Sequence, residues 1–170
     1  MEALKPQDIV VALKLVGGDG PRPAIAELAG ALRLSASEVH AALRRLAGSH
    51  LYDPGERRVI RPALLEFLLH GLRYAFPARP GEPTVGLPTG ASAAPLRDAL
   101  APAPDEATVW SWGPGTVRGH RIEPLYRTVP EAAADDDSLH EWLALADAIR
   151  VGRARERRLA GLEIEKRLKR

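Results

Sequence analysis

The chain has no cysteine among its 170 residues, which excludes disulfides, thiolate nucleophiles and cysteine-ligated zinc. It has no apolar run approaching the roughly 18 residues that a membrane-spanning helix needs. The opening stretch MEALKPQDIVVALKL lacks the basic, then apolar, then small-residue order of a secretion signal, so a cytoplasmic location with no membrane partner is expected. Catalytic signatures are also missing. There is no G-x-S-x-G, no G-x-x-x-x-G-K-[ST], no glycine-rich dinucleotide turn and no nucleophile beside a base, so neither enzymatic activity nor a cofactor is expected. No two of His40, His50, His70, His120 and His140 stand at H-x-x-x-H spacing, and no metal site is expected. Lysine is scarce, with four against twenty arginines. Alanine, glycine and proline abound, so the arginine excess reads equally as the composition of a GC-rich genome and as selection for phosphate.

The charge that is present is segregated. Residues 1–76 carry ten basic and eight acidic side chains, net +2; residues 77–149 carry five and eleven, net −6; residues 150–170 carry nine and three, net +6. Basic ends around an acidic middle point to nucleic acid or to an acidic partner, which the same chain or a second copy can supply.

Periodicity predicts a fold that is mainly α with a small β component. In KPQDIVVALKLVG, Ile9, Val10, Leu13 and Val16 recur at helical spacing up to Gly17 and Gly18. GDGPRP is a loop, and AIAELAGALRL puts Ile25, Leu28, Ala29 and Leu32 on one face. In LSASEVHAALRRL, Ser35 and Glu38 form an S-x-x-E capping box, and Val39, Ala42, Leu43 and Leu46 make the buried stripe. HLYDPGERRVI reads as two short strands about a Pro-Gly turn, and RPALLEFLLHGLRYAF as an apolar helix with proline in its first turn. Seven prolines between residues 77 and 107 argue against a long helix or a central strand there, leaving an extended connector with one helical turn near 95–100. TVWSWGPGTVRGHRI reads as a hairpin about Gly-Pro-Gly, and EPLYRTVPEAA as irregular. DDDSLHEWLALADAIR reads as a helix with acids at its start and a stripe of Leu139, Trp142, Leu143, Ala146 and Ile149. The acids 135–137 read as that helix start rather than as a cation site. A basic amphipathic tail follows Gly152. The expected division is 1–76, a 77–107 connector, and 108–170.

The stretch ELAGALRLSASEVHAALRRLAGSHLY, followed by DPGERRVI, resembles the winged helix-turn-helix superfamily of bacterial transcription regulators (MarR-like or ArsR-like). The V-x-x-x-L-x-x-L spacing of Val39, Leu43 and Leu46 carries the match, which covers about the first 75 residues. The family often has glycine at the inter-helix turn, where a left-handed residue is needed; Arg33 stands there. It also often has a polar or basic residue where Ala41 sits. The resemblance implies a second helix lying in the major groove of double-stranded DNA with a wing at its side. Burying the stripe turns Ala36, Ser37, His40, Ala41 and Arg44 outward. Ser37 and His40 then face base edges, Arg44 faces guanine or phosphate, and Arg57 and Arg58 face the backbone or minor groove. Ser35 and Arg45 complete the expected DNA-contacting set.

Two other constellations stand out. Trp110, Trp112, Arg118, Arg121 and Tyr126 offer either a small core or a platform for a flat ligand or an unpaired base. Arg150, Arg153 and Arg157 share a face if the tail helix is continuous, forming a basic clamp for phosphate or for acidic protein. The expected function is a DNA-binding regulator, of repressor type. It is expected to act as a homodimer through the apolar faces of 63–76 and 139–149, with the C-terminal half serving dimerisation or sensing of a small-molecule or protein effector. Two alternatives stand beside it: an antitoxin-like or scaffold interaction module, and a single-strand nucleic-acid binder.

Overall fold

The computed structural model describes residues 2–170. It is mostly helical with small sheets. Three helices come first, α1 (Pro6–Gly17), α2 (Ile25–Leu32) and α3 (Ala36–Gly48), and a hairpin of β1 (Tyr52–Asp53) and β2 (Arg58–Val59) follows. Local chemistry sets their ends. Asp8 accepts the Lys5 amide at 2.8 Å and so closes the first turn of α1. The α2–α3 turn runs through Arg33 in the left-handed region at φ 56°, the position where glycine is the low-cost residue. The predicted capping box starts α3: Ser35 Oγ accepts the Glu38 amide at 3.1 Å, and Glu38 Oε2 accepts the Ser35 amide at 2.7 Å. Val39, Ala42, Leu43 and Leu46 are buried as their spacing predicts. In the hairpin Tyr52 pairs with Val59 and Asp53 with Arg58, and Asp53 Oδ1 holds the turn by accepting the Gly55 and Glu56 amides.

The chain continues through α4 (Arg61–His70), α5 (Leu72–Ala75), β3 (Pro83–Pro88), α6 (Arg97–Leu100), β4 (Thr108–Ser111), β5 (Val117–Arg121), α7 (Val129–Ala134), α8 (Asp137–Val151) and α9 (Ala154–Leu168). Here the structure corrects several expectations. The proline-rich stretch is not a bare connector: β3 lies within it and pairs antiparallel with both β4 and β5. Its prolines, Pro83 and Pro88, stand at the strand's two ends, and the missing donors there leave the middle of the ladder intact. The stretch around Gly113–Gly115 is not a hairpin. Both flanking strands run antiparallel to β3, so β4 and β5 are parallel to each other, with Thr108 opposite His120. This three-strand closure draws backbones together at Gly86, where a Cβ would overlap the Trp110 carbonyl. The stretch read as irregular before the acids contains α7.

Helix α8 begins where its acids predicted, with Asp136 accepting the Leu139 amide at 3.0 Å. Its stripe is buried, but so is every residue from Trp142 to Arg150. The helix runs through the centre, with α1, α4, α5, α7 and α9 against it. One cluster of buried side chains reaches from Ile9 to Leu168, so the two halves share a core. The apolar residues of 63–76 and 139–149 therefore meet their partners inside one chain. Leu64, Leu68, Leu72, Leu139, Leu143 and Ile149 are all buried within the chain, while Leu65, Phe67, Leu69 and Phe76 are half-buried and Tyr74 is exposed.

Asp147, 1 % exposed, ties the small sheet to this central helix. Its Oδ2 accepts Thr89 Oγ1 and Trp110 Nε1, each at 2.7 Å, and its Oδ1 accepts Arg150 Nη1 at 2.8 Å. Arg150 then donates to the Phe76 and Glu123 carbonyls at 2.9 and 3.1 Å. Partners of this kind on both carboxylate oxygens and on the guanidinium are what allow such a pair to be buried.

Candidate nucleic-acid interface

Helix α3 presents the expected polar face. Ala36, Ser37, His40 and Arg44 are exposed and Ala41 is half-buried. A straight helix of this length has the width that the major groove admits. Ser35 is exposed, but its oxygen holds the Glu38 amide and lies 3.1 Å from Ser37 Oγ, so its role is the helix start.

Arg45 departs from the expected set. It points away from the outer face and is 5 % exposed, against a fully buried Asp8 on α1. Nε and Nη2 donate to the two Asp8 oxygens at 2.8 and 2.7 Å, and Nη1 reaches Glu2 at 3.2 Å. Arg44 and Arg45 are adjacent, so a helical step of about 100° separates them, and only one can lie on the groove face. The bidentate pair crosses from α1 to α3 and sets α3 on its support.

Beside α3 stands the hairpin, with Arg57 and Arg58 exposed and Arg57 left-handed at φ 53°. An open groove of about 1220 Å³ separates this hairpin from the α1–α2 loop and α2. Lys14, Arg22, Arg57, Arg58 and Arg61 line it. Four acids share its walls: Glu27 accepts the Ala24 amide, Asp53 accepts the amides of the hairpin turn, and Asp19 and Glu56 are exposed. Arg22 lies over the Tyr52 ring at 5.9 Å, and its Nε is buried without a hydrogen-bond partner. Such a donor is costly to leave unmade, and an anion in the groove would meet it. Sequence reasoning missed Arg22 and Arg61: the first sits in a stretch read only as a loop, the second at a helix start. The signal that was available is their place in chain order, either side of the helix-turn-helix.

The C-terminal half braces the other end of α3. Tyr126 donates to Glu38 Oε1 at 3.1 Å, Thr128 donates to the Leu32 carbonyl at 2.9 Å, and Arg33 pairs with Glu131 and Asp135 on and after α7. The Ser35 backbone amide, then the Ser35 hydroxyl and Tyr126, hold the Glu38 carboxyl below its ordinary range. Partial burial, then the neighbouring Glu38 carboxylate, push the Tyr126 hydroxyl up.

The aromatic platform is not assembled. Trp110 is 1 % exposed with its ring 5.4 Å from that of His140 and its Nε1 on Asp147, so it is core. Trp112 is half-buried beyond the end of β4. Arg118 is exposed, Arg121 pairs with Glu123 at 3.1 Å, and Tyr126 serves α3. The basic clamp is also not formed. Gly152 breaks the helix, leaving Arg150 buried on Asp147, Arg153 paired with Glu106 at 3.2 Å, and Arg157 donating to the Gly152 carbonyl at 2.6 Å.

Among the described residues no helix is long and apolar enough to cross a membrane, and no group of three ligating side chains is placed to hold a metal ion. No protein-family model, curated protein or solved structure matches the chain.

Proposed function

We propose that the chain is a double-stranded DNA-binding transcription regulator of repressor type, akin to winged helix-turn-helix regulators. One observation carries the reading: the outer face of α3 is polar and uncovered, next to an arginine-lined groove and hairpin. Ser37, His40 and Arg44 reach base edges in the major groove. Arg22, Arg57, Arg58 and Arg61 meet phosphate, which supplies affinity through counterion release and sets register. Burial of Trp110 weighs against a stacking platform for single strands.

The test is selection of bound fragments from the source genome by the purified protein at physiological salt, followed by titration of the enriched duplex. His40→Ala/Arg44→Ala is expected to lower affinity for the enriched duplex at least tenfold and to narrow its advantage over a scrambled one, since each base-reading side chain removed costs about 1–3 kcal/mol of discrimination. Arg57→Ala/Arg58→Ala is expected to weaken both duplexes alike and to reduce the salt slope by about 2. No enrichment, together with no duplex binding at about 50 mM salt, would refute the reading.

A further inference from the structure

Helix α9 segregates its charges. Its three acids are all engaged: Glu156 on the Arg153 amide, Glu163 on Arg167, and Glu165 on Lys169. Its exposed face, Arg155, Arg158, Leu162 and Lys166 at helical spacing, bears no acid. Those three cations make no ion pair among the described residues; the pairs of this helix fall on Arg167 and Lys169. Arg155 also stands in the first turn of α9, beside Glu156, where the helix dipole disfavours positive charge. Arg155 thus conflicts locally with its own helix, and such conflicts concentrate at working surfaces.

The C-terminal end of this helix lies at the base of the hairpin. Arg61 opens α4 at the base of the hairpin, and its Nη1 lies 3.5 Å from the Arg167 and Leu168 carbonyls at the end of α9. A second groove, of about 550 Å³, shares Gly18–Gly20 and Arg61 with the first and is lined also by Glu141, Glu163, Arg167 and Arg170. Glu141 and Glu163 are closed on Arg167, which leaves Arg61 and Arg170 as the cations between the hairpin and the end of α9. Arg155 and Lys166 stand eleven positions apart, which at 1.5 Å rise per residue is about 16 Å.

We propose that the outward face of α9 grips the phosphate backbone of duplex DNA flanking the segment read by α3. The inference rests on the DNA reading above and extends its footprint beyond the hairpin, which the chain's first 76 residues alone would not do. Charge complementarity and the contact of the end of α9 with Arg61 at the hairpin base select duplex backbone over other anionic surfaces, and a lone leucine among the cations gives little apolar area for inserting into a bilayer.

The test compares mixed-sequence duplexes of about 12 and about 30 base pairs, lengths chosen from the rise of about 3.4 Å per pair. The protein is either wild type or Arg155→Gln/Arg158→Gln/Lys166→Gln, with Arg79→Gln/Arg97→Gln/Arg118→Gln as the charge-matched control. All six positions are exposed, and circular dichroism checks that each variant folds. On the long duplex, the α9 variant is expected to lose affinity at least tenfold at about 0.1 M salt and to lower the salt slope by about 2–3, while the short duplex and the control change little. Wild-type binding with an unchanged slope in the α9 variant overturns this inference and leaves the DNA reading standing. An equal loss on both lengths, or in the control, overturns the flanking grip in favour of a general charge effect. Binding to phosphatidylserine vesicles that the α9 substitutions abolish, with DNA binding unaltered, assigns the face to a membrane surface and overturns it too. Failure of the wild type to bind either duplex at about 50 mM salt removes the DNA reading itself.

Discussion

Changing Asp8 to Asn removes the charge that Arg45 meets inside the molecule. Asp8 is fully buried and Arg45 5 % exposed, so the guanidinium would lose its buried counter-ion and keep only the half-exposed Glu2 at 3.2 Å. Removing one partner of a buried pair costs about 3–5 kcal/mol, because the other is left uncompensated. Asparagine keeps the oxygen that accepts the Lys5 amide, so this substitution isolates the ion pair; Asp8→Ala would lose the cap as well, at about 1 kcal/mol more. Against a total stability of about 5–15 kcal/mol, Asp8→Asn removes a third or more in most of that range. Urea titration reads the free energy, with an unchanged m-value showing that the unfolded state is not altered. In thermal melts the same loss corresponds to about 2–4 °C per kcal/mol for a chain of this size, or roughly 6–20 °C in all. Asp8→Leu/Arg45→Met, which removes both charges, is expected to recover most of the stability and to keep the wild-type salt slope of DNA binding. A cost below about 1 kcal/mol for Asp8→Asn would refute the buried-pair reasoning. A well-folded double variant whose salt slope falls by about 1 would return Arg45 to the DNA face.

Two further outcomes follow from the geometry. The Glu38 carboxyl titrates below its ordinary value when folded, so the unfolded chain takes up its proton at the higher pH, and the stabilisation is complete above about pH 4.5 and lost as pH falls through the folded value. Glu38→Gln should therefore flatten the acid limb of a stability-against-pH curve, and an unchanged limb would contradict the capping geometry. Replacing Asp147 with Ala strands Arg150, Thr89 and the Trp110 indole together, and a loss of at least about 3 kcal/mol with altered tryptophan fluorescence is expected in denaturant titration; a loss under about 1 kcal/mol would count against the network.

The first seventy residues were legible because their signals are local. The capping box at Ser35 and Glu38, the stripe through Val39 and Leu46, and the turn at Asp53–Gly55 depend on neighbours within a few positions. Helical spacing alone places Ser37, His40 and Arg44 outside once that stripe is inside. Even Arg33 could be read as the left-handed turn residue, because the turn between two close helices demands that backbone. The stretch after Pro77 was misread for the opposite reason. Strand β3 draws its partners from residues 21–37 positions away, and its prolines reveal nothing about pairing when they sit at its ends. The Gly-Pro-Gly stretch signals a reversal but leaves open which strand the chain meets after it.

The sequence by itself determined the elements, their caps, and the face that α3 turns to solvent, since these follow from spacing and from hydrogen bonds between near neighbours. Only the tertiary structure decided which charges are available. Arg44 and Arg45 are equal in the sequence, yet one is exposed and the other is closed onto Asp8. Arg150 and Arg155 belong to the same basic tail, yet a helix break at Gly152 puts one in the core and the other on the surface. Burial next to a counter-ion is a property of distant segments meeting, and it is that meeting, across α1, α3, α8 and α9, which divides this chain's arginines between holding the fold and facing outward.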